Sequence, residues 1–325
     1  WTGFFPLAFL WKTPLALLAA LATGLVVLVR RWRAVRLYPI APLLVLFGAY
    51  WAFSLTSKLN IGHRHILPIY PVLFIWLGGL VAPGVLPGRW RGILPVVFAF
   101  AQLAANLRVA PHYLAFFNAY AGGPANGYRL LVDSSLDWGQ DLPELAGWLR
   151  EHNTGPGAQP VFLSYFGSGE PDYYHLKATR LPFVNGFKLR RPWYEPGPGI
   201  YCVSATMLQQ VYSPARGAWT LEMEKEYQEA RAKEPLFREY WGNARIRREV
   251  DRLGAAEGFD HTWQRYELLR FARLCHYLRA RRPDAQPGYS ILVYRLDQAE
   301  LDGALHGNLR QLAAAIERAL AQPPH

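Results

Sequence analysis

Acid is missing from a long stretch of this chain: no Asp or Glu occurs in residues 1–110, and none before Asp133. The same 110 residues carry ten bases, Lys12, Arg30, Arg31, Arg33, Arg36, Lys58, Arg64, Arg89, Arg91 and Arg108. The other 25 of the 35 basic residues share the remainder with all 24 acidic ones, so that part is nearly neutral. The net charge of +11 therefore belongs to the apolar opening third, where bases flank hydrophobic runs. Phosphate-backbone recognition needs a basic stripe on a folded polar surface, so no nucleic-acid partner is expected. Cysteine is scarce as well. Cys202 lies in a strand-like run and Cys275 in a helix-like one, which reads as two buried free thiols and not a disulfide framework. No internal repeat, low-complexity linker or GxGxxG fingerprint occurs, and no Ser-His-Asp arrangement can be argued from spacing. With no charged segment before Trp1, a cleaved signal peptide fits poorly, and the chain reads as cut from a longer parent.

What the opening third does contain is four apolar runs, about 7–29, 37–56, 66–82 and 92–107. At 1.5 Å per residue, 17 to 20 residues cover roughly 26–30 Å, the thickness of a bilayer's hydrocarbon core. Four transmembrane helices are expected in a membrane region 1–110; a water-soluble helical core is the alternative, and four acid-free runs are hard to keep soluble. Pro14, Pro42, Pro68 and Pro95 fall mostly in first turns, while Pro71 should kink the third helix. Lys12 is expected to snorkel to the interface, and Trp1, Trp11, Trp32, Trp51 and Trp90 stand near segment ends, as an interfacial belt does. The arginine-rich turn 30–36 and the turn with Arg89 and Arg91 should both stay inside the cell. Counting crossings then puts loop 57–65 and everything after about 110 outside.

Residues 111–325 alternate between helix and strand patterns. An amphipathic helix (about 111–120) leads to a strand at Tyr128–Val132, a helix 141–152, a strand Val161–Tyr165 and a short helix near 171–176. Then come a strand Gly199–Ser204, a helix 205–211, a charged helical stretch 221–285, a strand Tyr289–Leu296 and a last helix, about 297–321. Strands spaced by helices predict an extracytoplasmic α/β domain with a mainly parallel sheet.

Two stretches carry chemistry. Ser57 to His65 sets Lys58, Asn60, His63, Arg64 and His65 in one tight loop at headgroup level, where a lipid phosphate would lie. Arg offers phosphate a fork and Lys a point charge. Plain snorkelling flanks are the alternative, and a zinc site is poorly supported because His63 and His65 have no acid or Cys near them in sequence. No cofactor is predicted, although a divalent metal stays open. The second stretch, Asp133 to Asp141, would follow a strand's carboxyl end, where α/β folds bind ligands. There Trp138 could stack on a sugar while Asp133, Asp137, Gln140 and Asp141 take hydroxyls. The same residues equally suit a strand-to-helix turn and an N-cap. Tyr165 and the glycines after it would lie beside that loop.

Three segments, Lys58–Pro71 (KLNIGHRHILPIYP), Phe117–Leu142 (FNAYAGGPANGYRLLVDSSLDWGQDL) and Leu163–Tyr174 (LSYFGSGEPDYY), resemble bacterial polyprenyl-phosphate-dependent membrane glycosyltransferases of the protein mannosyltransferase type, related to aminoarabinose transferases. Arg64–Pro68 is similar to an Arg-Tyr-Leu-Leu-Pro motif at an extracytoplasmic helix start, with His65 where Tyr is common. The resemblance implies transfer of a sugar from a polyprenyl-phosphate carrier to a glycan or protein acceptor on the outer face of the bacterial plasma membrane. It also implies a catalytic carboxylate upstream of Trp1, which would make this chain the C-terminal part of the enzyme. A non-enzymatic, membrane-anchored glycan-binding or envelope-assembly protein is the rival. A transporter lacks support, since no ionisable residue sits in mid-span.

Overall fold

The computed structural model describes residues 2–31, 33, 37–59, 62–183 and 192–321. It is mostly helical and divides into two compact units, Trp1–Asp137 and Trp138–His325.

In the first unit the helices are α1 (Phe4–Lys12), α2 (Leu15–Arg30), α3 (Leu37–Thr56), α4 (Ile69–Gly78) and α5 (Gly88–Leu107). Tyr38–Thr56 and Gly88–Leu107 are each long and apolar enough to cross a bilayer; α1 and α2 together would make a third such span, but they meet at 111°. The first expected run is therefore broken, and sequence gives the reason. Pro14 forces Thr13 out of the helical region, to φ −93°, ψ 130°, and brings no N–H of its own for the Leu10 carbonyl. The third expected run is shorter than drawn, because His63–Ile66 forms a 3₁₀ turn and α4 starts only at Ile69. Pro71 thus stands in a first turn instead of a helix interior. Along α5 no residue is buried, and Val96, Val97, Phe100 and Leu103 are exposed.

The expected helix 111–120 is two 3₁₀ turns, Tyr113–Ala115 and Ala119–Ala121. The expected strand 128–132 is absent. Pro124–Arg129 is 3₁₀ helix, and the Leu130 and Leu131 amides both bond the Gly127 carbonyl. A strand needs a neighbouring strand for its backbone groups, and among the described residues of this unit there is none.

The second unit holds a four-stranded sheet of β1 (Val161–Ser164), β2 (Thr179–Arg180), β3 (Gly199–Ser204) and β4 (Ile291–Leu296), in the order β2-β1-β3-β4. The sheet is mixed, which corrects the expectation of a mainly parallel one: β1 runs parallel to β2 and β3, and β4 runs antiparallel to β3, pairing Ser204 with Ile291 and Gly199 with Leu296. The helical insertion between β3 and β4 explains the reversal. It leaves and re-enters at one end of the sheet, where the Ala205 amide bonds the Ser290 carbonyl, so β4 must run back along β3. That insertion comprises α7 (Ala205–Leu208), α8 (Leu221–Arg231), α9 (Glu234–Gly242), α10 (Ala244–Arg252) and α11 (Ala256–Ala280). Ahead of the sheet lies α6 (Leu142–His152); after β4 come α12 (Gln298–Leu301), a π turn and α13 (Leu309–Leu320).

Two apolar clusters fill this unit. One packs α6 on the sheet through Leu142, Leu145, Leu163, Ile200 and Val293; the other packs α8, α9 and α11 through Tyr227, Phe237, Trp263 and Tyr266. Cys202 and Cys275 are both free and buried, as expected. Arg273 is a fully buried cation whose Nε and Nη2 donate to Glu224 at 2.9 and 3.1 Å. Arg273 also donates to the Ala304 and Gly307 carbonyls, which satisfies the guanidinium fork as burial demands.

Candidate functional site

In the first unit the site is built around the break between α1 and α2. A helix end leaves carbonyls without intrahelical partners, and Pro14 aggravates this by withholding the N–H that would bond Leu10. Asn118 supplies what is missing. Its Nδ2 donates to the Leu10 carbonyl at 2.6 Å and to the Thr13 carbonyl at 2.8 Å, and its backbone N–H bonds Trp11 at 2.9 Å. Lys12 turns inward at this break instead of snorkelling. Its ammonium donates to the Leu114 carbonyl at 2.7 Å and to the Ser135 carbonyl at 2.6 Å, and it lies 4.3 Å from the centre of the Phe117 ring.

Lys12 thereby brings the second chemical stretch to the first. Gly62 packs against Ser134 so closely that a Cβ there would stand 2.6 Å from the Ser134 Oγ, a contact only glycine permits. Beside it the His63 N–H donates to the Ser135 Oγ at 3.2 Å. A hydrogen-bonded chain runs back from His63 to the helix break: its Nε2 is 2.8 Å from the Tyr70 hydroxyl, which is 2.6 Å from the Thr13 hydroxyl. Burial, with the Lys12 charge adding to it, pushes the His63 imidazole down to about 4. The ring is neutral at physiological pH, and Nε2 can accept the Tyr70 O–H. His65 lies edge-on to Phe5 with ring centres 6.3 Å apart, and its buried Nε2 has no hydrogen-bond partner among the described residues. Lys58 and Arg64 are exposed, and Asn60 lies outside the described residues.

Asp133 and Asp137 are both buried. Asp133 sits at φ +54°, outside the range that ordinary residues favour, and its carbonyl accepts the Leu136 and Asp137 amides in a tight turn. The turn follows a 3₁₀ segment, so its expected place at the carboxyl end of a parallel strand is corrected. Its neighbour is the 62–63 loop instead.

The rest of that stretch belongs to the second unit and does different work. Gln140 accepts the Trp138 N–H on Oε1 at 2.8 Å, and Trp138 is 51% exposed. Asp141 is buried and its Oδ2 accepts from Gln140 and from the Ser290 amide, both at 3.2 Å, which ties the loop to the start of β4. The Tyr165 hydroxyl donates to the Gly139 carbonyl at 2.5 Å. Gly139, at φ +75°, has no room for a side chain, since a Cβ would come within 2.3 Å of that hydroxyl. Tyr165 does lie beside the loop, and the contact is a structural one.

Lys12, Thr13, Tyr70 and Asn118 are the members that sequence reasoning did not assign to the site. The available signal was the lone cation in Leu10-Trp11-Lys12-Thr13-Pro14, placed just where a proline breaks an apolar run. Among the described residues no group of three or more His, Cys, Asp or Glu could hold a metal ion. No family model matches the chain, and no curated protein or solved structure matches it significantly.

Proposed function

We propose that this chain forms part of a glycosyltransferase of the bacterial plasma membrane, moving a sugar from a polyprenyl-phosphate carrier to a glycan or protein acceptor outside the cell. The observation that carries the reading is the meeting of two polar loops, 62–66 and 133–137, at the break of an apolar helix. Lys58 and Arg64 are the donors for the carrier phosphate; His63, kept neutral by burial and tied by its ring to Tyr70 and by its backbone N–H to Ser135, positions the loop. Asp133 and Asp137 supply the acid side that sugar hydroxyls require. A phosphate leaving group gathers negative charge as the glycosidic bond breaks, and a preorganised guanidinium stabilises that charge most where water is scarce. The apolar, exposed faces of α3 and α5 support a bilayer setting, and the arginine-rich turn after α2, if kept inside the cell, puts residues after about 110 on the outer face.

The test is sugar transfer from a radiolabelled polyprenyl-phosphate donor in membranes holding the protein. Arg64→Ala should lower it about a hundredfold, the loss typical of removing one charge-stabilising donor. Unchanged turnover would sink the assignment. The half-exposed Trp138 favours the second reading, a glycan-binding protein without transferase activity. Glycan binding that is lost in Trp138→Ala, with no transfer at all in the parent, would select it.

A further inference from the structure

The first unit has a second feature, at the other end of α2 from the helix break. A cavity of about 580 Å³ lies between α2, α3 and α4, walled by Leu21, Gly24, Leu28, Leu43, Leu44 and Leu77 among other apolar residues, with Arg31 as the one charged lining residue among those described. That volume is within the range of small-ligand pockets, and the walls give water almost nothing to bond. Arg31 follows the last residue of α2 and is exposed; one N–H of its guanidinium donates to the Gly84 carbonyl, which fixes the fork at the rim. Arg30 and Arg33 flank it in sequence, and no acid occurs anywhere in the first 132 residues. An apolar chain tethered to an anionic head matches this arrangement, because the cavity takes the tail and the guanidinium takes the phosphate.

We propose that this cavity binds one acyl chain of an anionic phospholipid, with the phosphate at Arg31. The site differs from the proposed carrier-phosphate loop. Thr13, bonded through Tyr70 to His63, precedes α2, whereas Arg31 follows its 16 residues, a separation of roughly 24 Å at 1.5 Å per residue. The proposal rests on the bilayer setting of these helices and is independent of the transferase chemistry.

Native mass spectrometry of the protein released from mixed phosphatidylglycerol and phosphatidylcholine vesicles tests it. Retained phosphatidylglycerol should exceed its share of the vesicle about fivefold, the factor expected of one basic residue at a membrane surface. Arg31→Gln, a surface change that leaves the fold alone, should return the bound lipid to the vesicle ratio. Gly24→Phe should remove bound lipid of both kinds, since its side chain would start 3.6 Å from the Leu77 Cδ2 and grow into the cavity. Equal retention of the two lipids, an enrichment that survives Arg31→Gln, or displacement of the phospholipid by polyprenyl phosphate would each overturn the assignment. An alkaline carbonate wash separates the two ideas: release of the protein from membranes defeats the bilayer reading, while retention without enrichment defeats the lipid site alone.

Discussion

The two units use apolar and polar residues in opposite senses. In Trp138–His325 the sheet and the aromatic cluster bury their apolar side chains, and the buried Arg273 is paired with Glu224. In Trp1–Asp137 the long helices α3 and α5 carry their apolar side chains outward, and polar contacts gather instead around Lys12, His63, Asn118 and Ser135. The contrast teaches that burial is defined by the surrounding solvent. An outward Phe100 and an inward Lys12 are what helices in apolar surroundings would show, the setting proposed for this unit.

The largest expected break in this comparison is on the water-soluble side. Arg273→Met leaves the buried Glu224 carboxylate without its charge partner and should cost about 3–5 kcal/mol, read as a lower denaturation midpoint of the second unit. Next comes a matched pair at exposed apolar positions. Val96→Arg, mid-way along α5, should cost about 2.5–3.5 kcal/mol in an insertion assay. Leu253→Arg, also exposed but in the second unit, should stay within about 0.5 kcal/mol by thermal unfolding. Similar values for the two would dissolve the contrast. Asn118→Ala leaves the Leu10 and Thr13 carbonyls unpaired and should lower the melting temperature in detergent, at a cost of about 1–3 kcal/mol.

The last effect is on pH. The His63 imidazole is depressed to about 4 in the fold, against about 6.5 in an unfolded chain. Its contribution is therefore complete above pH 6.5 and falls as pH drops from 6.5 towards 4, by at most about 1.4 kcal/mol per unit. His63→Gln should flatten that part of the stability profile, and an unaltered slope would show that another group titrates.

How far the sequence spoke depended on what each unit needs from its neighbours. Hydropathy located the helices of the first unit, because length and composition decide whether a helix suits an apolar medium. It could not supply the angle at Thr13–Pro14, which depends on Asn118 more than a hundred residues away. The run Leu130-Leu131-Val132 has a strand's composition, yet pairing partners decide a strand, and the sheet belongs to the other unit. In the second unit β1 and β3 were legible from their apolar runs between turns. The direction of β4 was not, since the exit and entry of a helical insertion at the same sheet end leave no mark on local pattern. For the site, both polar loops stood out by composition, whereas their convergence on Gly62 and Lys12 is a matter of tertiary packing.

The helix break also sets an order of manufacture. Ribosomal synthesis delivers the end of α1 long before the amide that completes it, 108 residues on from Leu10. Until Asn118 emerges, the Leu10 and Thr13 carbonyls must be satisfied by water or by some other donor. A nascent chain stalled short of that point would carry a raw helix end, a marker by which quality control could tell an unfinished product from a finished one.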